Sequence, residues 1–368
     1  MQHSTLVDSK LSRASGLSHP KDNFDAIRLI AALIVLYGHA FPLTGTASLA
    51  IFGNSIQTIA VKVFFVISGY LVIESWRRDP SPFRYLSRRC LRIFPGLVVV
   101  ILLSTFALGP VVTTLPLAEY FKLPQLSGYL QNIILKPSYA LPGVFTQITY
   151  PNAVNGSLWS LPVEFAMYLL TPVVVLWGTG ERIRIFIGSL VICALSLYMV
   201  RLATPQQPIV FYGTSIVSAL DAAPYFFLGA AWRIAAKPQA FNTQVALLAL
   251  LLLPVVPASS VAYEIGLYVV LPYAILSFSL AKPALFGWAG RLGDFSYGVY
   301  IYGFLVQQTV SFYFNTQGKP FLNFGLSVIP TLLLAAASWH LLEKKFLALK
   351  PGRRAFMKST SQKKSAVG

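Results

Sequence analysis

Charge is scarce in this chain, and acidic charge is scarcer still. Of 368 residues 11% are charged, and only 12 Asp and Glu stand against 29 Lys and Arg. An average soluble domain carries about a quarter charged residues, so a body this large could not cover its surface in water. Most cytosolic enzymes, secreted domains and disordered chains are thereby excluded. Cysteine is nearly missing too. Cys90 lies in a basic stretch and Cys193 in an apolar one; two such residues build no disulfide framework and read as ordinary thiols. The sequence holds no Walker A loop, no dinucleotide-binding Gly fingerprint, no Gly-x-Ser-x-Gly elbow and no His/Cys metal cluster. ATP-driven transport, redox chemistry and zinc hydrolysis lose support, and no metal is expected.

What the chain has is apolar sequence: 55% of its residues, with a mean hydropathy of +0.65. A membrane helix needs roughly 20 mostly apolar residues, and about ten such segments fill the chain between Pro, Gly and charge clusters. They fall near 26–43, 57–76, 93–110, 158–178, 185–203, 211–232, 243–257, 262–281, 295–314 and 324–346, the seventh being short. The first 25 residues are polar and lack an apolar h-region, so the first span itself is expected to act as the insertion signal. The predicted fold class is all-α, a polytopic membrane protein of about ten transmembrane helices.

Placing the N-terminus in the cytoplasm and alternating sides puts 24 of the 29 Lys and Arg on inward segments. Only Lys62, Lys122, Lys136, Arg201 and Lys319 remain outside, as the positive-inside tendency requires. An even count of spans follows, with both termini cytoplasmic. The net charge of +17 therefore reports loop placement and lipid attraction, not a nucleic-acid partner. The expected organisation is a polar tail at 1–25, a transmembrane domain at 26–347 and a basic tail at 348–368. One outward connection, about 111–156, is too long for a bare link, and its many Pro and Tyr residues suit a membrane-hugging cap or a passive lid. No convincing internal repeat is visible.

Ionisable groups are costly in lipid, so each within a span is a functional candidate. Arg28 and His39 are eleven residues apart, three helical turns, and share one helix face with a rise of roughly 16 Å. A neutral imidazole is well suited to moving a proton to or from a hydroxyl. Arg88, Arg89 and Arg92 cluster at the mouth of the third span. Arg binds phosphate bidentately, so they suit a phosphate-bearing cytosolic ligand, although simple positive-inside anchoring explains Arg77, Arg78 and Arg84. Glu164 lies in an apolar run near the outward end of the fourth span, and Asp221 near the centre of the sixth. Asp221 is a candidate partner for a buried Arg or a polar ligand. Glu264 reads as interfacial, and His340 with Glu343 as a helix-end salt bridge.

Five stretches in order make the whole chain resemble acyltransferase family 3, bacterial integral-membrane O-acyltransferases of surface glycans. They are Asn23 to Leu29 leading to His39, Val63 to Leu71, Arg88 to Pro95, Ser157 to Glu164, and Gly293 to Ile301. The resemblance implies ten helices, a cytosolic acyl-coenzyme A co-substrate, most simply acetyl-CoA, and a sugar hydroxyl of a polysaccharide or glycolipid as acceptor at the bacterial inner membrane. By motif it assigns catalysis to His39, Arg28 and Glu164 and donor binding to Arg88, Arg89 and Arg92. Asp221, Trp159 and Ser68 are further candidates for orienting substrate. His39 would deprotonate the acceptor hydroxyl or carry the acyl group itself. Gly303 stands where relatives often have a His, and Lys345 where a Pro is common. The appended esterase-like domain of some relatives is not expected. A glycan carrier or flippase using the same buried charges is the competing reading, and a scaffold for polysaccharide assembly a third.

Overall fold

The computed structural model describes residues 22–176, 180–203, 205–287 and 293–350. Most of both expected tails lies outside these residues, as does Arg291. The described chain is helical apart from two short hairpins. Ten helices follow the ten apolar segments: α1 Phe24–Leu43, α2 Ile56–Arg78, α3 Pro82–Leu102, α4 Ser160–Leu176, α5 Glu181–Leu197, α6 Ile216–Ala235, α7 Thr243–Leu252, α8 Val261–Leu280, α9 Ser296–Phe314 and α10 Pro320–Ser338. A short helix, α11, Lys344–Ala348, ends the described chain.

Among the described residues, seven helical stretches are long and apolar enough to cross a bilayer by themselves. Two others of similar length, α6 and α9, carry more polar side chains. Their polar groups meet protein rather than lipid, which is how such residues are tolerated in a membrane. In α9, Gln307 donates to the Leu36 carbonyl and to Asn323, and Gln308 donates to the carbonyls of Tyr150 and Ala153. These bonds tie α9 to α1, to α10 and to the long connection. The third span begins earlier than hydropathy indicates. Pro82 opens α3 at its first turn, a position where its missing N–H costs nothing, so Arg84 to Arg92 are helical.

The long connection after α3 is an ordered cap at the end of the bundle remote from these arginines. It holds helical turns at Leu117–Tyr120 and Pro124–Leu130 and buries Tyr120, Tyr129 and Phe145. A π-helical stretch at Leu103–Leu108 leaves the Thr105 carbonyl to accept from the Tyr120 hydroxyl. Asn155 closes the cap by donating to the Ile301 carbonyl.

An internal repeat that the sequence hides is plain in the backbone. Strands β1 (Ala50–Ile51) and β2 (Asn54–Ser55) pair just before α2, and β3 (Val210–Phe211) and β4 (Thr214–Ser215) pair identically just before α6. Both turns have two positive φ angles, at Phe52 and Gly53 and at Tyr212 and Gly213, the geometry of a tight type I′ hairpin. A Ser stands at the N-cap position of each helix in the same extended conformation, Ser215 also accepting from the Ser218 N–H. At the matching places Gly69 and Gly229, α2 and α6 touch backbone to backbone. A Cβ on Gly69 would lie 1.8 Å from the Phe226 carbonyl oxygen, and one on Gly229 2.2 Å from that of Val66. Small residues permit such close helix contact in membranes. Gly69→Ala or Gly229→Ala should therefore lower stability by at least the ~1–3 kcal/mol typical of overpacking. Thermal unfolding in detergent checks this, with Gly188→Ala, whose added Cβ meets open space, as the control expected to change little.

Candidate active site

A cavity of about 350 Å³ opens at the Arg-rich end of the bundle and runs between α1, α2, α3, α4 and α9. Five cationic side chains line it, Arg28, Arg88, Arg89, Arg92 and Lys350, with three carboxylates, Asp25, Glu164 and Asp294. Farther in, its walls are Phe64, Phe65, Ile93, Leu161 and Tyr297. A basic mouth thus leads to a mostly apolar interior, the form expected for a ligand with an anionic head and a long uncharged arm.

Asp294 organises the mouth. Its Oδ2 accepts from Arg28 Nη2 at 2.8 Å and from Arg92 Nη2, and its Oδ1 accepts from Ser296 Oγ. Burial acts to raise this carboxyl, but the two guanidinium groups outweigh it and hold it well below the usual carboxylate range. Arg28 also pairs with Asp25. Asp79 accepts from Arg84 and Arg88, which hold it below its ordinary value. Arg89 differs. It reaches Ser75 Oγ at 3.3 Å and lies over the rings of Tyr168 and Tyr85 at 5.6 and 5.9 Å. Its Nε is buried without a partner, and no carboxylate among the described residues pairs with it.

Deeper in, Glu164 Oε1 accepts from Ser68 Oγ at 2.6 Å and from the Tyr168 hydroxyl. Ser68 and Glu164 both line the cavity. The inner end is closed by Phe64, Ser160 and Tyr300: the Ser160 and Tyr300 hydroxyls are 2.6 Å apart, and Tyr300 packs edge-on to Phe64. His39 lies beyond this closure. Its ring meets Phe304 edge-on at 5.3 Å. Phe304 is one turn after Tyr300 on α9 and seats against Gly156, just before α4. The His39 side chain is only partly buried and hydrogen-bonds to none of the described residues.

The chain therefore brings Arg28, Arg88, Arg89, Arg92, Glu164 and Ser68 into one cavity; His39 does not line it and instead meets Phe304, one helical turn after the lining residue Tyr300. Comparison with known proteins gives this arrangement a family. The family model of the acyltransferase domain matches residues 21–340. The chain belongs to acyltransferase family 3. It is 32% identical to an O-acetyl transferase of Shigella phage Sf6, over 89% of this chain and 97% of that one. It is 27% identical to Nodulation protein 10 of Rhizobium leguminosarum bv. viciae, over 90% and 94% of the two chains. A shorter match of 26% identity, covering 42% of this chain, links it to peptidoglycan O-acetyltransferase OatA of Listeria monocytogenes. No solved structure matches it. As a member of this family the chain is a membrane O-acyltransferase that uses an acyl donor.

Other candidates lie elsewhere. Trp159 is absent from the cavity wall and packs on the hydrophobic core. Asp221 pairs not with an Arg but with Lys62 Nζ at 2.9 Å, and the same ammonium donates to Asn54 and faces the Tyr225 ring at 5.0 Å. This ties the first hairpin to α6 and keeps Asp221 out of the cavity. Glu264 is buried, not interfacial, and binds Arg201 at 2.7 Å. His340 and Glu343 do not pair: a π-helical turn separates them, His340 packing on Phe295 and Glu343 accepting from Ser338. Gly303 has a physical reason, since a Cβ there would lie 2.9 Å from Leu36 Cδ1. Sequence reasoning missed Asp294, the centre of the mouth, although it stands inside the quoted Gly293 to Ile301 stretch. A buried acid facing several basic residues was the available signal.

Proposed function

We propose that this enzyme moves an acetyl group from cytosolic acetyl-CoA to a sugar hydroxyl of a surface glycan or lipid-linked oligosaccharide. The name of one relative, peptidoglycan O-acetyltransferase, supports a glycan acceptor, and that of another, O-acetyl transferase, supports the acetyl group. In this reading it sits in the bacterial inner membrane with both termini cytoplasmic, which puts the basic cavity mouth in the cytosol and the cap and His39 toward the outer face. The observation that carries the reading is the cavity whose mouth is lined by four arginines and whose wall residue Tyr300 stands one turn before Phe304, the ring that His39 meets on α9.

The donor's nucleotide phosphates bind Arg89 and its neighbours, and the pantetheine arm follows the apolar wall past Glu164. The Phe64, Ser160 and Tyr300 closure must open for the thioester to reach His39. There an imidazole nitrogen accepts the acceptor's hydroxyl proton, the oxygen attacks the thioester carbonyl, the carbon–sulfur bond breaks, and the thiolate takes the proton back. A brief acyl-imidazole is the equivalent two-step route. Arg28, fixed by Asp25 and Asp294, positions the donor. Glu164, bound to Ser68 and Tyr168, shapes the channel.

The test is to incubate membranes containing the protein with acetyl-CoA labelled in the acetyl group and to follow label into glycan. Acid-stable, base-labile label on sugar is expected, whereas glycan translocation with no acetyl incorporation would replace this reading with a carrier. Arg89→Ala should raise the KM for acetyl-CoA about tenfold or more, as expected for losing a charged hydrogen-bond donor, with a smaller change in kcat.

A further inference from the structure

Past Ser338 the helical chain continues without a break to Ala348 and packs on the catalytic bundle. After the π-helical turn Trp339–Glu343, α11 packs against α3, and Trp339, Leu347 and Lys350 complete the wall of the cavity mouth. Lys350 lies past residues 21–340, the part matched by the family model.

The charges at this mouth leave two cations over. Asp294 is shared by Arg28 and Arg92, and Asp79 by Arg84 and Arg88. Glu74 is taken by Arg78 and Arg233, and Glu164 by Ser68 and Tyr168. Arg89 and Lys350 share the cavity wall, and among the described residues no carboxylate pairs with either. Burial and repulsion from Arg89, Arg92 and Arg88 lower the Lys350 ammonium to about 8, with Asp294 opposing weakly. A protein that gathers cations without matching carboxylates has a place prepared for an anion.

We propose that Lys350 and Arg89 form a cradle for a phosphate group of the donor, so that the segment following the last span is part of the donor site. This rests on the donor reading above. Arg89 supplies a planar donor fork fixed on α3 and stacked on two tyrosines. Lys350 supplies a point charge on a flexible stem from the segment that follows α11. Coenzyme A offers two sources of the same chemistry, its diphosphate and its ribose phosphate.

The experiment is equilibrium binding of coenzyme A and of dephospho-coenzyme A to the purified full-length protein in detergent, with Lys350→Ala, Lys350→Arg and Arg89→Ala as variants. Lys350→Ala should weaken coenzyme A binding about ten- to hundredfold, the range for a hydrogen bond to a charged group, and Lys350→Arg should restore most of it. If the weakening disappears with dephospho-coenzyme A, the ribose phosphate sits in the cradle; if it persists, the diphosphate does. Either result supports the cradle. Affinity should also fall between pH 7 and 9 in the native protein as the ammonium loses its proton, and fall less in Lys350→Arg. The other charged groups lining this mouth, Asp25, Arg28, Arg88, Arg89, Arg92, Glu164 and Asp294, are common to both proteins, so the difference between the two pH profiles isolates the Lys350 ammonium. Loss of binding in Arg89→Ala with none in Lys350→Ala would overturn the cradle and leave the donor reading intact. No binding to the native protein would overturn both.

Discussion

His39→Ala lowers the rate of acyl transfer about 10²–10⁴-fold, the usual contribution of a positioned acid–base group, and leaves the protein folded. The separation of effects follows from its surroundings. The ring makes one edge-on contact with Phe304 and no hydrogen bond to a described residue, so removing it breaks no polar network. The helix around it is held independently, by Gln307 on the Leu36 carbonyl and by the close approach of Gly303 to Leu36. Labelled acetyl incorporation and thermal unfolding, measured on one preparation, separate chemistry from folding. Donor affinity should stay within about twofold, because the phosphates bind at the other end of the cavity. Full activity in the variant would remove His39 from the reaction.

Asp294→Asn is expected to be the most damaging change at the mouth. One carboxylate oxygen accepts from both Arg28 and Arg92, and the three side chains are only 10–20% exposed. Replacing it leaves Arg92 without a carboxylate partner and Arg28 with Asp25 alone, and breaking a buried pair typically costs about 3–5 kcal/mol. Reduced yield, a lower unfolding temperature and loss of donor binding should appear together. Because the native carboxyl titrates below its ordinary value, its stabilisation is complete at neutral pH. It is lost only as pH falls through and below the normal carboxylate range near 3.9. The Asn variant should therefore show less acid sensitivity than the native protein between pH 5 and 3. An unchanged acid profile would mean that Asp294 is not the hub.

The membrane character of the fold was legible because hydropathy is a local property: each of the ten apolar segments became a helix. Helix α3 started earlier than its apolar run, because Pro82 and the arginines after it are good opening residues that hydropathy discounts. The repeat was not legible. Its halves share an aromatic-Gly-x-Ser-Ile turn, Phe52 to Ile56 and Tyr212 to Ile216, and a glycine crossing each, but so short a match carries weight only once the paired hairpins and the Gly69 and Gly229 contacts are seen. The basic side of the candidate site could be read because Arg-x-x-Arg spacing fixes a shared helix face. Pairings across the bundle could not, since Asp294 meets Arg92 from 202 residues away and Lys62 meets Asp221 from 159. Helical spacing placed His39 three turns from Arg28 on α1 but said nothing of Phe64, Ser160 and Tyr300, which come from three other helices and line the cavity that holds Arg28 and not His39.

The most direct test of the whole account is sidedness. Membrane vesicles from a glycan-producing host expressing the protein can be prepared in both orientations and given acetyl-labelled acetyl-CoA, which does not cross lipid. The account predicts base-labile label on glycan enclosed in everted vesicles, where the arginine-lined mouth faces the added donor, and none in right-side-out vesicles. Equal labelling in both, or labelling only of glycan on the same side as the donor, would contradict a channel that carries the acyl group across the membrane.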